Sequence, residues 1–321
     1  MAMVKVSDDD RPAEQPGSMN GAVEVRTPVR TLSFWAKVRR MLRRPGAWSV
    51  AVGGVILLMF VIIAIFADLL APHAPQAQDL LNKLKPPAWS DGGSTRHLLG
   101  TDYLGRDILS RLIYGARISL IVGVATALGA AFIGVTTGVI GGYLGGWVDA
   151  SIQRVVVVFQ AFPFILLAIL LVAVTGAGTW KVVLILVLSR WPAFNRVARS
   201  EALSQRTREY VLAAEAMGSH SLRIMSRHVL PAVAAPSIVV ATFSISGAIL
   251  GEAGLSFLGL GVPIATPTWG NMLADGRNYM YADPWLTIPP GVALFLIVIA
   301  ANILGDGIRD LTDPRLRNRT R

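Results

Sequence analysis

Five stretches of this chain run for about twenty residues or more without a charged side chain: residues 48–67, 118–148, 155–180, 230–251 and 285–304. A helix needs about 20 apolar residues to cross the hydrocarbon core of a bilayer, so each stretch predicts a membrane span. A sixth apolar run, residues 182–189, is shorter, flanked by Lys181 and Arg190 and followed by Pro192. Parity decides in its favour. With six spans both chain ends lie on one side, together with 22 of the 30 Lys and Arg residues. Cationic loops stay on the cytoplasmic side, so the expected fold is all-α and polytopic, with six transmembrane helices, N-in and C-in. The fourth span then covers roughly residues 179–197, with Arg190 near its cytoplasmic end, where a long cation can snorkel.

Composition supports the membrane class. The chain has 321 residues, 53% hydrophobic and only 16% charged, against about 25% charged in soluble domains. Its mean hydropathy is +0.54. A net charge of +10 would suggest nucleic acid in a soluble protein; here the cations are accounted for by topology, and no nucleic-acid partner is expected. The absence of cysteine excludes disulfides, thiolate metal sites and a cysteine nucleophile. The four histidines, His73, His97, His220 and His228, show no metal-motif spacing, and no phosphate-binding GxxxxGK[ST] loop is present. No catalytic residue and no metal ligand is therefore expected. The first apolar run follows a long basic tail and is too long for a cleavable signal, so it reads as a retained span.

Between the spans, residues 1–32 read as a disordered cytosolic tail. Residues 33–45 read either as a basic helix lying on the inner leaflet or as a basic flank that orients the first span, residues 46–70. Residues 71–115 form an extracytoplasmic loop. Near its end Asp102/Arg106 and Asp107/Arg111 are each four apart, which would pair them along a helix. That helix is either a solvated face or a docking surface. Residues 116–306 form the core with the other five spans, and 307–321 a basic cytosolic tail. In the second span Gly134, Gly138, Gly142 and Gly146 recur every four residues, a stripe that lets another helix approach closely. Pro163 falls inside the third span and predicts a kink. Glu252 is the sole ionisable residue between Pro231 and Ala274. A carboxylate at membrane depth is costly unless paired or wet, which makes it a functional candidate. The alternative is a position near the outer headgroups, capping a helix break at Gly251/Gly254.

The segment YVLAAEAMGSHSLRIMSRHVLP, residues 210–231, is polar although it lies between two spans. Thr207 predicts an N-cap, with Glu209 in the first turn. Tyr210, Ala214 and Met217 share a helical face, and Gly218 predicts a left-handed stop. Ser219 or Ser221 can cap a second short helix ending near Pro231. Ala213, Ala214 and Ala216 keep the first helix slim enough for a groove in another protein. In register, Ala213, Ala214, Gly218, Leu230 and Pro231 match E-A-A, three residues, G, nine residues, I-x-L-P, with Leu212 in place of Glu and His228 in place of Ile. This loop at 207–231 resembles the EAA loop of ABC transporter permeases. LGTDYLGRDILSRLIYGARISL, GEAGLSFLGLG and PTWGNML are similar to the branch importing dipeptides, oligopeptides or nickel, and most to its second permease. The resemblance covers residues 40–312.

The resemblance implies a type I ABC importer permease in a bacterial inner membrane. It implies a homologous permease subunit, two ATP-binding subunits and an extracytoplasmic substrate-binding protein as partners. ATP and Mg would lie on the ATPases, with no cofactor in this chain. Glu209, Tyr210, Ala213, Ala214, Glu215, Gly218, His228 and Pro231 would form the ATPase-coupling unit, with residues 210–218 as the coupling helix. Di- or oligopeptide is the implied substrate; heme, nickel and glutathione are the alternatives within the branch. An intramembrane enzyme would need a second catalytic group near Glu252, and none is visible in the sequence. An ATP-independent transporter would leave the EAA-like loop unexplained.

Overall fold

The computed structural model describes residues 46–312, so the 1–32 tail, the 33–45 basic segment and the end of the 307–321 tail lie outside the described residues. Among the described residues every regular element is helical. The elements are α1 (Ala47–Ile65), α2 (Ala67–Leu70), α3 (Ile108–Leu144), α4 (Gly146–Ala161), α5 (Phe164–Thr175), α6 (Thr179–Arg206), α7 (Glu209–Ala216), α8 (Ser221–Ile224), α9 (Leu230–Phe257), α10 (Trp269–Gly276) and α11 (Ile288–Thr312). Four rods are long and apolar enough to cross a bilayer: α1, α3, the continuous run of residues 221–257, and residues 284–312. A fifth results if α4 and α5, bent by 87° between them, count together. Many large apolar side chains face outward on these helices, among them Val55 and Leu58 on α1, Phe132 on α3 and Leu170 and Val174 on α5. Such surfaces demand lipid or another protein.

α3 is the central helix. Its most extensive contact is with α6, and it also touches α9 and α1; α1 packs chiefly along α11. The α3–α6 seam exists because α3 lacks side chains there. A Cβ on Gly134 would stand 2.4 Å from the Trp191 carbonyl oxygen, one on Gly138 2.6 Å from that of Asn195, and one on Gly142 2.7 Å from that of Arg199. Gly146 takes no part in this seam. The second helix stops at Leu144, and Gly146, with φ +53° and nothing near its Cβ position, opens α4 instead. Within the seam the fully buried Asn195 donates to Thr137 Oγ1 at 2.9 Å and accepts from Gln153 at 3.1 Å. Arg199 grips Asp149 of α4 with two bonds of 2.6 Å.

Several boundaries differ from the sequence expectation. α3 begins ten residues before the uncharged run, because Asp107 caps it by accepting from the Ser110 N–H at 2.8 Å. Arg111 and Arg117 are thus already helical. Arg117 reaches the open end of α1 and donates to the Ala64 carbonyl at 2.8 Å, satisfying an acceptor that α1 itself leaves unpaired. Pro163 produces a full break, sitting at the N-cap position of α5. α6 starts at Thr179, where the short apolar run was expected to begin a span, but runs on to Arg206. Neither Gly251 nor Gly254 breaks α9, which continues to Phe257.

The 71–107 segment is a folded loop. Its short 3₁₀ turn, Leu80–Asn82, is capped by Asp79, and the Asn82 amide donating to that carboxylate holds it below the ordinary range. Asp102/Arg106 and Asp107/Arg111 do not pair along a helix. Asp102 and Arg106 lie in a turn before α3, joined at 2.6 Å. Arg111 bonds Asp102 as well, and both arginines reach Asp275 of α10, at 2.9 and 3.1 Å. All four side chains are largely buried, and their charges cancel. Next to this knot Trp269 is fully buried, donating to the Leu112 carbonyl at 3.0 Å and meeting Phe60 edge-on at 5.6 Å.

Candidate functional site

The polar segment between α6 and α9 folds into a helix–glycine–helix unit. α7 spans Glu209–Ala216. Gly218 has φ +76°, and two bonds close the turn: the Gly218 N–H to the Glu215 carbonyl and the Ser219 N–H to the Ala214 carbonyl. This is the paired arrangement by which a left-handed residue satisfies the last carbonyls of a helix. Thr207 is not the N-cap. It ends α6, with its hydroxyl donating to the Ser204 carbonyl, and Arg208 occupies the cap position with an extended backbone. Glu209 does lie in the first turn, where a carboxylate suits the positive end of the helix.

The faces of α7 divide differently from the expected grouping. Ala214 points inward together with Val211; they are 4% and 0% exposed. They pack against Val139, Tyr143, Ala198 and Ala202, so the unit is seated on the ends of α3 and α6. Burying Val211 alone is worth about 1.5–3 kcal/mol. Tyr210 and Met217 stay outside with Leu212 and Leu222, all exposed apolar side chains. Ala213 is exposed among them. Glu215 accepts from the Tyr143 hydroxyl at 2.7 Å. The Tyr210 hydroxyl bonds Gln205, and its ring lies 6.0 Å from that of His228. Val211 and Tyr143 were not singled out in the sequence. The i, i+3 apolar pair Val211/Ala214 was the available signal for the first; Tyr143 gave none.

Pro231 does not end the second helix. From Ser221 the chain passes through a widened π turn, Met225–Val229, straight into α9, with Pro231 in its first turn. A proline has no N–H and its ring crowds the carbonyl four residues back. Widening the preceding turn accommodates both. The consequence is one rod, residues 221–257, running from the helix–glycine–helix unit to Glu252.

Glu252 is fully buried in that rod. Its Oε1 accepts from Ser256 at 2.7 Å, while Oε2 has no partner. The Ser119 and Thr268 hydroxyls are its other polar neighbours. It therefore sits inside the protein where α3, α9 and the start of α10 meet, within an unbroken helix. Arg190 is half-buried. It lies against α9, where a Cβ on Gly247 would come within 2.6 Å of its guanidinium nitrogens, and its Nε is unpaired. Glu252 and Arg190 form no ion pair.

These features define a class: an all-helical polytopic membrane protein with a helix–glycine–helix unit seated on the ends of two long helices. The chain belongs to the family described as binding-protein-dependent transport system inner membrane component, which matches residues 134–318. The N-terminal TM domain of oligopeptide transport permease C matches residues 33–87. Among curated relatives, the Pseudomonas aeruginosa di/tripeptide transport system permease protein DppC is 42% identical over 84% of this chain and 89% of its own length. The Escherichia coli K12 dipeptide transport system permease protein DppC is 42% identical over 93% and 98%. The Pectobacterium atrosepticum glutathione transport system permease protein GsiD is 40% identical over 92% and 93%. In structure, the chain resembles a component of the inward-facing MetNI methionine ABC transporter with a TM-score of 0.54, at 18% identity, covering 64% of this chain and 98% of that one. That likeness establishes the type I ABC importer permease fold. The chain is thus an inner-membrane transport permease.

Proposed function

We propose that this chain is the permease subunit of an ATP-driven importer of di- and oligopeptides, forming half of a translocation path. The observation that carries the reading is the unbroken rod of residues 221–257, joined through the Gly218 turn to α7, whose exposed side is apolar. A partner that moves α7 acts through that turn on a rod that reaches Glu252. Tyr210, Leu212 and Met217, with Ala213 between them, are the seat for an ATPase subunit. Val211 and Ala214 hold that seat to α3 and α6, and Glu215 fixes it through Tyr143. Gly218, His228 and Pro231 shape the turn and the rod behind it, and Glu209 favours the start of α7.

Six spans complete this reading, with α4–α5 as the third and α6 as the fourth. At 28 residues, α6 is roughly 42 Å long, more than a hydrocarbon core requires. Of its polar side chains, Arg190 and Asn195 are turned to α9 and α3, while Lys181 and Arg196 fall near the two ends of the 179–197 span. Both termini then lie in the cytoplasm. A homologous permease, two ATP- and Mg-binding subunits and an extracytoplasmic binding protein complete the complex, and this chain itself performs no catalysis. The peptide substrate is inferred from the relatives named for dipeptides and di/tripeptides.

The test is ATP hydrolysis by the whole complex in liposomes. The chain is co-expressed with its genomic neighbours, and binding protein is added with dipeptides, longer peptides, glutathione, heme or nickel. Stimulation by peptides is expected. A complex stimulated by glutathione alone, by heme or by nickel would keep the architecture and overturn the substrate. A chain that transports without any ATPase would overturn the coupling reading.

A further inference from the structure

His73, His97 and Asp107 are far apart in sequence and match no metal motif, yet the fold brings them together. Each offers a ligand atom, and these atoms lie within 4.8 Å of one another. His97 Nδ1 is 3.0 Å from Asp107 Oδ1, and His73 Nδ1 is 3.9 Å from Asp107 Oδ2. We propose that these three side chains form a site for one divalent transition-metal ion of the zinc class, clasping the 71–107 loop to the start of α3.

The chemistry fits such an ion. Two imidazoles and one carboxylate make a borderline donor set that zinc-class metals take and magnesium or calcium do not. Zinc–nitrogen and zinc–oxygen bonds of about 2.0–2.2 Å place tetrahedral ligand atoms roughly 3.3–3.6 Å apart. The 3.0 Å from His97 Nδ1 to Asp107 Oδ1 is just short of that range, and all three ligand atoms lie within 4.8 Å of one another. The ring nitrogen that must move is free to do so: His73 Nδ1 is buried and has no hydrogen-bond partner. An acceptor or donor left so beside a carboxylate is what a ligand would satisfy. The surroundings already orient the donors. Asp107 Oδ2 accepts from the Ser110 N–H and hydroxyl at 2.8 and 2.7 Å, leaving Oδ1 for the ion. The Ser110 hydroxyl in turn accepts from the His73 backbone N–H at 3.0 Å. Such outer bonds commonly fix the ligands of a metal site. The ion would replace the His97 Nδ1–Asp107 hydrogen bond, with His97 bound as the neutral tautomer that carries its hydrogen on Nε2. The His73 side chain is 25% exposed and the other two are nearly closed, so entry is past His73. Three protein ligands leave a position for water.

The test uses the full chain within its transporter complex, purified with a histidine-free tag and stripped with chelator. Zinc is added, excess removed by desalting, and retained metal counted by mass spectrometry; cobalt serves as the spectroscopic probe. Wild type is expected to retain about one ion per chain, to show visible cobalt absorption and to melt higher with zinc. His73→Ala, whose ring nitrogen makes no hydrogen bond to lose, should melt like metal-free wild type. It should lose the cobalt bands and bind zinc about tenfold or more weakly. No retained zinc in wild type overturns the proposal. So does His73→Ala holding zinc as wild type does, since the ion would then lie elsewhere, such as near His220 and His228.

Discussion

Replacing Gly138 by alanine tests whether the α3–α6 seam is as close as its glycines imply. The added Cβ would meet the Asn195 carbonyl oxygen at 2.6 Å, Ala198 Cβ at 2.7 Å and the Arg199 nitrogen at 3.0 Å. Two of these are backbone atoms, so no rotamer change relieves them. Carbon atoms settle about 3.5–4.0 Å apart, so α3 and α6 must separate by about 1 Å at this level. Overpacking of that kind costs about 1–3 kcal/mol. Alanine recovers about 0.5–1 kcal/mol by its better helix propensity. A net loss of about 1–2 kcal/mol remains. Gly54 on α1 is the control, because its Cβ position has nothing within 4 Å; there the same substitution should gain about 0.5–1 kcal/mol. The two variants therefore differ by about 2 kcal/mol with opposite signs, roughly 3 °C in melting temperature for a chain of 321 residues. Thermal melts of the detergent-solubilised chain at one fixed scan rate read this directly. Gly138→Ala melting at or above wild type, while Gly54→Ala gains, would refute the reasoning about the seam.

Gly218→Ala places a Cβ on a residue at φ +76° with open space around it, so the loss is conformational, about 1–2 kcal/mol. Uptake and peptide-stimulated ATP hydrolysis should fall, more so for Gly218→Glu, and wild-type uptake by Gly218→Glu would sink the role given to this turn. Asp102→Asn leaves Arg106 and Arg111 sharing Asp275 alone; a broken buried pair costs about 3–5 kcal/mol, so this variant should express poorly or melt far lower. Equal melting would mean the knot is wet and contributes little. Glu252→Leu should destabilise by about 1–3 kcal/mol, because Ser256 loses its acceptor, whereas Glu252→Gln keeps an acceptor oxygen and should melt close to wild type. Identical melts for the two would argue that shape alone matters there. Tyr210→Asp should uncouple ATP hydrolysis from transport without lowering the melting temperature, because Tyr210 is largely exposed on the α7 seat; unchanged coupling would move the ATPase contact elsewhere.

How much of this was legible in advance depended on the range of the interaction. Spans, their rough order and the left-handed stop at Gly218 follow from local chemistry. Apolar length is a property of a stretch, and a glycine after a short helix needs only its own freedom at φ. The every-fourth-residue glycines likewise announced a close helix contact, since spacing along one helix sets its face. Which helix would fill that face, and that Gly146 would drop out of it, depended on where α3 ended. The same limit hid the seat of α7. Tyr210, Ala214 and Met217 read as one face, but the buried direction was set by the ends of α3 and α6, which drew in Val211 and Ala214 and left Tyr210 and Met217 outside. Arg111 read as the partner of Asp107 four residues earlier; an unexpected N-cap took Asp107, and Arg111 turned to Asp102 and Asp275. Asp275 joins that knot from a distant element, and His73, His97 and Asp107 meet only because the 71–107 loop folds back on α3. The sequence by itself determined a multi-span helical membrane protein, because burial in a bilayer is written residue by residue in hydropathy and charge. Only the tertiary structure decided which polar side chains meet, because a pairing between distant segments is fixed by the packing of everything between them.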